Sequence, residues 1–123
     1  MKQRMKISGW GRNTFVNAEV NKVKNLIEIE NVIKKNRNII ARGFGRSYGD
    51  SANNEVILDT TRLNKILKFN FIQGIITCES GVSIKEINQL TINRGWFIPV
   101  TPGSSYITIG GAIASDVHGK NHH

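Results

Sequence analysis

Apolar residues along this chain change their period several times, and each change marks an element. Near the start, Trp10 and Phe15 precede a short stretch around Ala18 to Val23 that reads as an extended piece. Leu26, Ile29, Val32 and Ile33 then recur at three- and four-residue steps. That spacing predicts a helix from Leu26 to about Asn36, with these four as its buried face and Asn25 as its N-cap. Asn38-Ile-Ile-Ala41 reads as a strand, and Val56-Ile-Leu-Asp59 as a second. Ile66 to Phe71 and Gly74 to Glu79 are placed to pair as a hairpin around Gln73-Gly74. Ser83-Ile-Lys-Glu86 fits a capping box, in which the serine and the glutamate satisfy each other's free amides, and it opens a helix from Ile84 to about Asn93. Gly95 follows as a C-cap, and Trp96-Phe-Ile-Pro-Val100 runs extended. The whole reads as alternating short helices and strands, with no internal repeat, low-complexity tract or interdomain linker.

Two glycine-rich segments break this pattern. They are Arg42-Gly-Phe-Gly-Arg-Ser-Tyr-Gly-Asp50, delivered by the end of a strand, and the segment from Thr101 to His123. Glycine costs backbone entropy on folding, so clustered glycines mark positive-φ turns or a close approach of the backbone to another group. With their hydrogen-bond donors and positive charge the two segments read together as an anion cradle, and a diphosphate is one group that would reward it. Gly43, Gly45 and Gly49 are spaced G-x-G-x-x-x-G and lead into a loop, Asp50-Ser-Ala-Asn-Asn54, so the dinucleotide fingerprint of a Rossmann unit is not met. A Walker A Gly-Lys-Ser/Thr is absent as well. The anion site then takes the form of a nest of successive amides, reinforced by the Ser47 hydroxyl and the Arg46 charge. A plain glycine hairpin with a surface arginine accounts for the first loop equally well. In the second segment Thr108 is placed to cap a helical turn through Gly110, Gly111, Ala112, Ile113, Ala114 and Ser115, with its first amides pointing outward to phosphate or carbonyl oxygens. The alternative there is a tight packing contact with no ligand.

Composition narrows the classes. A length of 123 residues with 39% hydrophobic content fits one packed structural unit. No apolar run approaches the ~20 residues of a membrane-spanning helix. The start, Met1-Lys-Gln-Arg-Met-Lys-Ile, is basic but lacks the apolar stretch of a secretory signal, which makes a cytoplasmic location the default expectation. The single cysteine, Cys78, allows no intrachain disulfide and reads as a small hydrophobe. A net charge of +8 invites a nucleic-acid reading. Lys and Arg are scattered rather than blocked and aromatics are few, so no nucleic-acid partner is expected. A noncatalytic basic module binding nucleic acid or polyphosphate stays as the alternative from a different class. His118 and His122 are four apart, a zinc spacing if helical. Gly119 and Asn121 weaken a helix there and no further ligand accompanies them, so no metal is expected.

The pair of glycine segments, with their order and separation, resembles a known family. From about Val20 to the last residue the sequence is similar to the N-terminal part of the FAD-binding domain of the vanillyl-alcohol-oxidase and p-cresol-methylhydroxylase (PCMH) flavoproteins. Arg42 to Asp50 and Gly110-Gly-Ala-Ile-Ala-Ser-Asp-Val-His-Gly-Lys-Asn-His-His123 most resemble the decaprenylphosphoryl-ribose 2'-oxidase branch. The resemblance implies an α+β fold in which residues 1–123 are the first α/β lobe of a PCMH-type domain plus the start of the second, with the cap or substrate domain absent.

The same resemblance assigns roles to residues. Gly43, Phe44, Gly45, Arg46 and Ser47 would wrap the diphosphate of FAD, with Tyr48 near the flavin. Pro102, Gly103, Ser104, Ile107, Thr108, Gly110 and Gly111 would line the ribityl and diphosphate path, and Val117, His118 and Gly119 would approach the flavin. His118, Lys120 and Tyr48 would border the substrate, His118 as a pocket wall in preference to a proton relay. Covalent members often carry a histidine where this chain has Arg46, so noncovalent FAD is expected, the arginine offering a fork of donors to the diphosphate. The implied reaction is oxidation of a sugar CH–OH group, the substrate a polyprenyl-phosphate pentose whose 2'-hydroxyl becomes a ketone. An NAD-dependent short-chain reductase is the implied partner, and peripheral membrane contact stays open. A sugar-lactone or alditol oxidase is the alternative within the family. The closing histidines, within Gly119-Lys-Asn-His-His123, fit native sequence better than a residual affinity tag.

Overall fold

The computed structural model describes residues 2–119. The backbone forms two compact units, Met1–Leu63 and Asn64–His123, where length alone had suggested one.

The first unit is built on a four-stranded sheet of order β1-β2-β4-β3. Strands β1 (Lys2–Ser8) and β2 (Phe15–Lys22) pair antiparallel, from Lys2 opposite Asn21 to Ser8 opposite Phe15. Strand β4 (Val56–Asp59) runs parallel to β2 and to β3 (Ile40–Arg42). Ile7, Ala18, Val20 and Ile57 bury one cluster, with Val16 and Ile40 against it. Val23, Leu58 and Leu63 form another, onto which Ile29, Val32 and Ile39 pack. Ile29 and Val32 belong to α1 (Leu26–Lys35), capped by Asn25, whose Oδ1 accepts from the Glu28 amide at 2.9 Å. Leu26 and Ile33, expected on the buried face, are 75% and 51% exposed. Ile29 and Val32 share the side that meets the core, and Leu26 and Ile33 lie a step round the helix from it. Strand β1 has no counterpart in the apolar pattern. Lys2, Arg4 and Lys6 alternate with Gln3 and Met5 on an edge strand whose one buried side chain is Ile7.

The second unit opens with the antiparallel hairpin β5 (Ile66–Asn70) and β6 (Ile75–Cys78), whose register shifts between Ile66 and Lys68. At its turn Asn70 Oδ1 accepts from the amides of Ile72 and Gln73, both at 3.1 Å. Gly74 sits at φ +66° against the Trp96 ring, where a Cβ would collide. Trp96 Nε1 donates to Phe71 O at 2.6 Å, so the segment expected to run extended is instead anchored to the hairpin turn and forms no strand. Helix α2 (Ile84–Thr91) begins with both halves of its capping box formed and buries Ile84, Ile87 and Thr91. A 3₁₀ turn (Ile92–Arg94) ends at Gly95, which takes φ +78° as a left-handed cap. Helix α3 (Ile109–Ala114) closes the described chain, capped by Thr108.

Candidate functional site

The first glycine loop starts where β3 ends, and Arg42 holds its base. The Arg42 carbonyl accepts from the Thr60 amide at 3.0 Å, while its guanidinium spends its donors on three acceptors. Nη1 donates to Ala52 O at 2.9 Å and Asn53 Oδ1 at 2.7 Å, and Nη2 donates to Ser8 O at 2.7 Å. Burial pulls this guanidinium below its ordinary pKa and the nearby Arg46 charge adds to that, while Asp59 works the other way. Arg42 is thus a strut tying the ends of β1 and β3 to the Ser51–Asn54 turn. That turn is itself braced by Asn53 Nδ2 donating to Asp50 Oδ1 at 2.8 Å.

Above the strut the loop backbone lies against the Gly9–Trp10 segment, with the Trp10 amide donating to Ser47 O at 3.3 Å. Gly45 takes φ +66°, and a Cβ there would run into the Arg42 guanidinium. Among the described residues, no acceptor meets the amides of Gly43, Phe44, Gly45, Arg46, Ser47, Tyr48 or Gly49. None of the seven residues is buried, so these N–H groups are available to water or to a ligand. Arg46 adds charge beside them, and Tyr48 stands 92% exposed. This is a set of donors suited to an anion with several oxygens.

The second segment differs from its expectation. The first amides of α3 do not point outward: Ile109 N donates to Val82 O at 2.8 Å, Gly110 N to Ser80 O at 2.8 Å, and Gly111 N to Thr108 Oγ1 at 3.1 Å. A Cβ on Gly110 would come within 2.9 Å of Ser80 Cβ, so the small residue serves a packing contact. Gly119 fits closely against the Thr101 backbone. Ile107 O accepts from Ile84 N at 3.1 Å and Ser104 Oγ from Tyr106 N at 3.2 Å, while the amides of Gly103, Ser104 and Ser105 meet no acceptor among the described residues. Pro102 and Val117 are half-buried and His118 is exposed. Lys120 and His122 lie outside the described residues.

Sequence reasoning passed over two side chains at the first loop. Arg42 opened the quoted motif without a role. Trp10, in Gly9-Trp10-Gly11, donates its amide to Ser47 O at 3.3 Å and carries the Arg46 guanidinium 4.5 Å above its ring centroid. The only signal was an aromatic residue flanked by glycines.

Residues 16–123 match a family model described as FAD binding domain. The chain belongs to the FAD-binding domain family. FAD is therefore its cofactor, and the uncommitted amides and Arg46 of the first loop fit a diphosphate. A decaprenylphosphoryl-β-D-ribose oxidase of Mycolicibacterium smegmatis is 35% identical over 96% of this chain and 27% of its own length. A mitochondrial D-2-hydroxyglutarate dehydrogenase of Bos taurus is 30% identical over 53% of this chain and 12% of its own. A solved cholesterol oxidase of B. sterolicum aligns with a TM-score of 0.79 at 21% identity, over 97% of this chain and 25% of that one, which shows a shared mixed α/β fold. The chain spans about a quarter of the length of the ribose oxidase and of the solved cholesterol oxidase, 27% and 25%, and 12% of the hydroxyglutarate dehydrogenase. Among the described residues no helix is long and apolar enough to cross a membrane.

Proposed function

We propose that this chain is the part of a flavin-dependent oxidoreductase that grips FAD by its diphosphate, and that the whole enzyme oxidises a sugar CH–OH group. The observation that carries the first statement is the row of unpaired amides from Gly43 to Gly49 beside Arg46. Such donors stabilise phosphate oxygens without any reorganisation, because the loop is already held by Arg42. Noncovalent attachment follows from Arg46, which has no nucleophilic atom to join to the flavin and instead offers planar donors. When bound, FAD supplies a two-electron acceptor for the carbinol carbon.

The substrate reading rests on the 35% identity to a protein named for decaprenylphosphoryl-β-D-ribose. By that likeness a polyprenyl-phosphate pentose is the substrate and an NAD-dependent short-chain reductase the partner. His118, exposed in the second unit, is proposed as a wall of the substrate pocket. Pro102, Gly103, Ser104, Ile107, Thr108, Gly110, Gly111, Val117 and Gly119 are proposed along the cofactor path, Gly110 and Gly111 only through the room their missing side chains leave, since their amides are committed.

Titrating the purified chain with FAD and following quenching of flavin fluorescence tests the proposal. Retention of a yellow complex through gel filtration is the expected result. Salt-sensitive DNA binding without flavin retention would overturn it in favour of a basic binding module. The substrate statement is tested on the full-length protein, by flavin bleaching on anaerobic addition of a polyprenyl-phosphate ribose compared with a sugar lactone.

A further inference from the structure

Two arginines serve the first glycine loop, and they are used in opposite ways. Arg42 commits its guanidinium to Ser8, Ala52 and Asn53. Arg46 meets no hydrogen-bond acceptor among the described residues, and its recorded neighbour is the face of Trp10, 4.5 Å from guanidinium carbon to ring centroid. A guanidinium held over a ring by its charge, with no hydrogen bond to the protein, keeps its N–H donors available to two phosphate oxygens. The ring is held in turn. The Trp10 amide donates to Ser47 O at 3.3 Å, and Gly9, buried, is so close to the loop that a Cβ would come within 2.7 Å of Gly49 O. Ser8 O completes the grip by accepting from Arg42. The end of β1 and the turn after it therefore touch the loop and its base at three successive residues, Ser8, Gly9 and Trp10. All three lie before residue 16, ahead of the stretch that matches the family model.

We propose that Trp10 is a positioning residue for the diphosphate: it fixes the plane of the Arg46 guanidinium before the cofactor arrives, so that the arginine's ordering cost is met in folding and not in binding. The inference rests on the reading of the Gly43–Gly49 loop as the diphosphate cradle. It makes the β1 turn a specificity element for phosphorylated flavin over the bare vitamin.

A double-mutant cycle on the full chain tests it, with FAD affinity and melting temperature read for each variant. Trp10→Leu keeps bulk and removes the ring face, and is expected to weaken FAD binding by about five- to tenfold. Trp10→Phe, which keeps a face, is expected to stay within about twofold. In an Arg46→Gln background Trp10→Leu is expected to add nothing, because the group it positions has gone. A Trp10→Leu protein that binds FAD as well as the parent overturns the proposal, as does an equal loss with and without Arg46, which would mark a general structural role. If Trp10→Leu does not fold, titration of the unmutated chain with inorganic pyrophosphate decides. The Trp10 indole resonance, assigned by its disappearance in Trp10→Phe, is expected to shift in the parent and not in Arg46→Gln; a shift in both, or in neither, overturns the proposal. Failure of the parent itself to bind FAD would fall on the cradle reading and not on Trp10.

Discussion

At the scale of single residues, Gly45 and Arg42 are a matched pair. Gly45 occupies a left-handed conformation directly over a guanidinium that three hydrogen bonds hold in place. Gly45→Ala is expected to destabilise the first unit by about 1–3 kcal/mol through backbone strain and displacement of the strut, read as a lower melting temperature before any cofactor is added. A ligand-only role for Gly45 would leave the cofactor-free melting temperature unchanged. Sequence reasoning also singles out Gly45, with the diphosphate as the group that excludes a side chain there. The structure supplies a nearer neighbour, because the sequence cannot show that Arg42 folds back under its own loop. Cys78 is the other informative residue. Burial pushes its thiol above the usual range, so alkylation at neutral pH is expected to be slower than for free cysteine and to rise only at more alkaline pH. Since the neutral form is favoured in the fold, the associated stability is full below the ordinary thiol range and is lost as the pH rises through and beyond it. Alkylation as fast as free cysteine at pH 7 would contradict this. Cys78→Ser is expected to retain FAD.

At the scale of elements, legibility followed the strength of local chemistry. The capping box at Ser83 and Glu86 was readable because both partners lie within one turn, and both bonds are present, at 3.1 Å and 2.8 Å. Ser83→Ala is expected to cost about 1 kcal/mol, measured by chemical denaturation, and to be non-additive with Glu86→Ala because the two side chains share one network. Full additivity would mean that the two caps act separately. The hairpin and the left-handed Gly95 were legible for the same reason, each being set by neighbours in sequence, while the Val56–Asp59 strand was legible from its short apolar run although its partners are distant. Strand β1 was not, since a charged edge strand lacks apolar alternation. The commitment of the α3 amides was not legible either, because Ser80 and Val82, which receive two of them, lie about thirty residues earlier in the chain. What looked like an open helix end is closed by tertiary hydrogen bonds.

At the scale of the whole molecule, both units use glycine for close packing, Gly9 against Gly49 in the first and Gly110 against Ser80 in the second. The first adds a longer row of donors, Gly43 to Gly49, that nothing else in the described chain accepts. The family likeness was legible from the pair of glycine motifs, and residues 16–123 match that family. Which donors remain free was not legible, because that depends on where every competing acceptor ends up. The claim on which the function rests is that the free amides of the first loop receive the cofactor's diphosphate. The most direct measurement is an amide-resolved ¹⁵N NMR titration of the chain with FAD. The account predicts that the largest downfield amide shifts fall on Gly43 to Gly49, while the amides of Ile109, Gly110 and Gly111 keep their hydrogen-bonded positions. Flavin binding that leaves the Gly43–Gly49 amides in place and moves the α3 amides instead would contradict it.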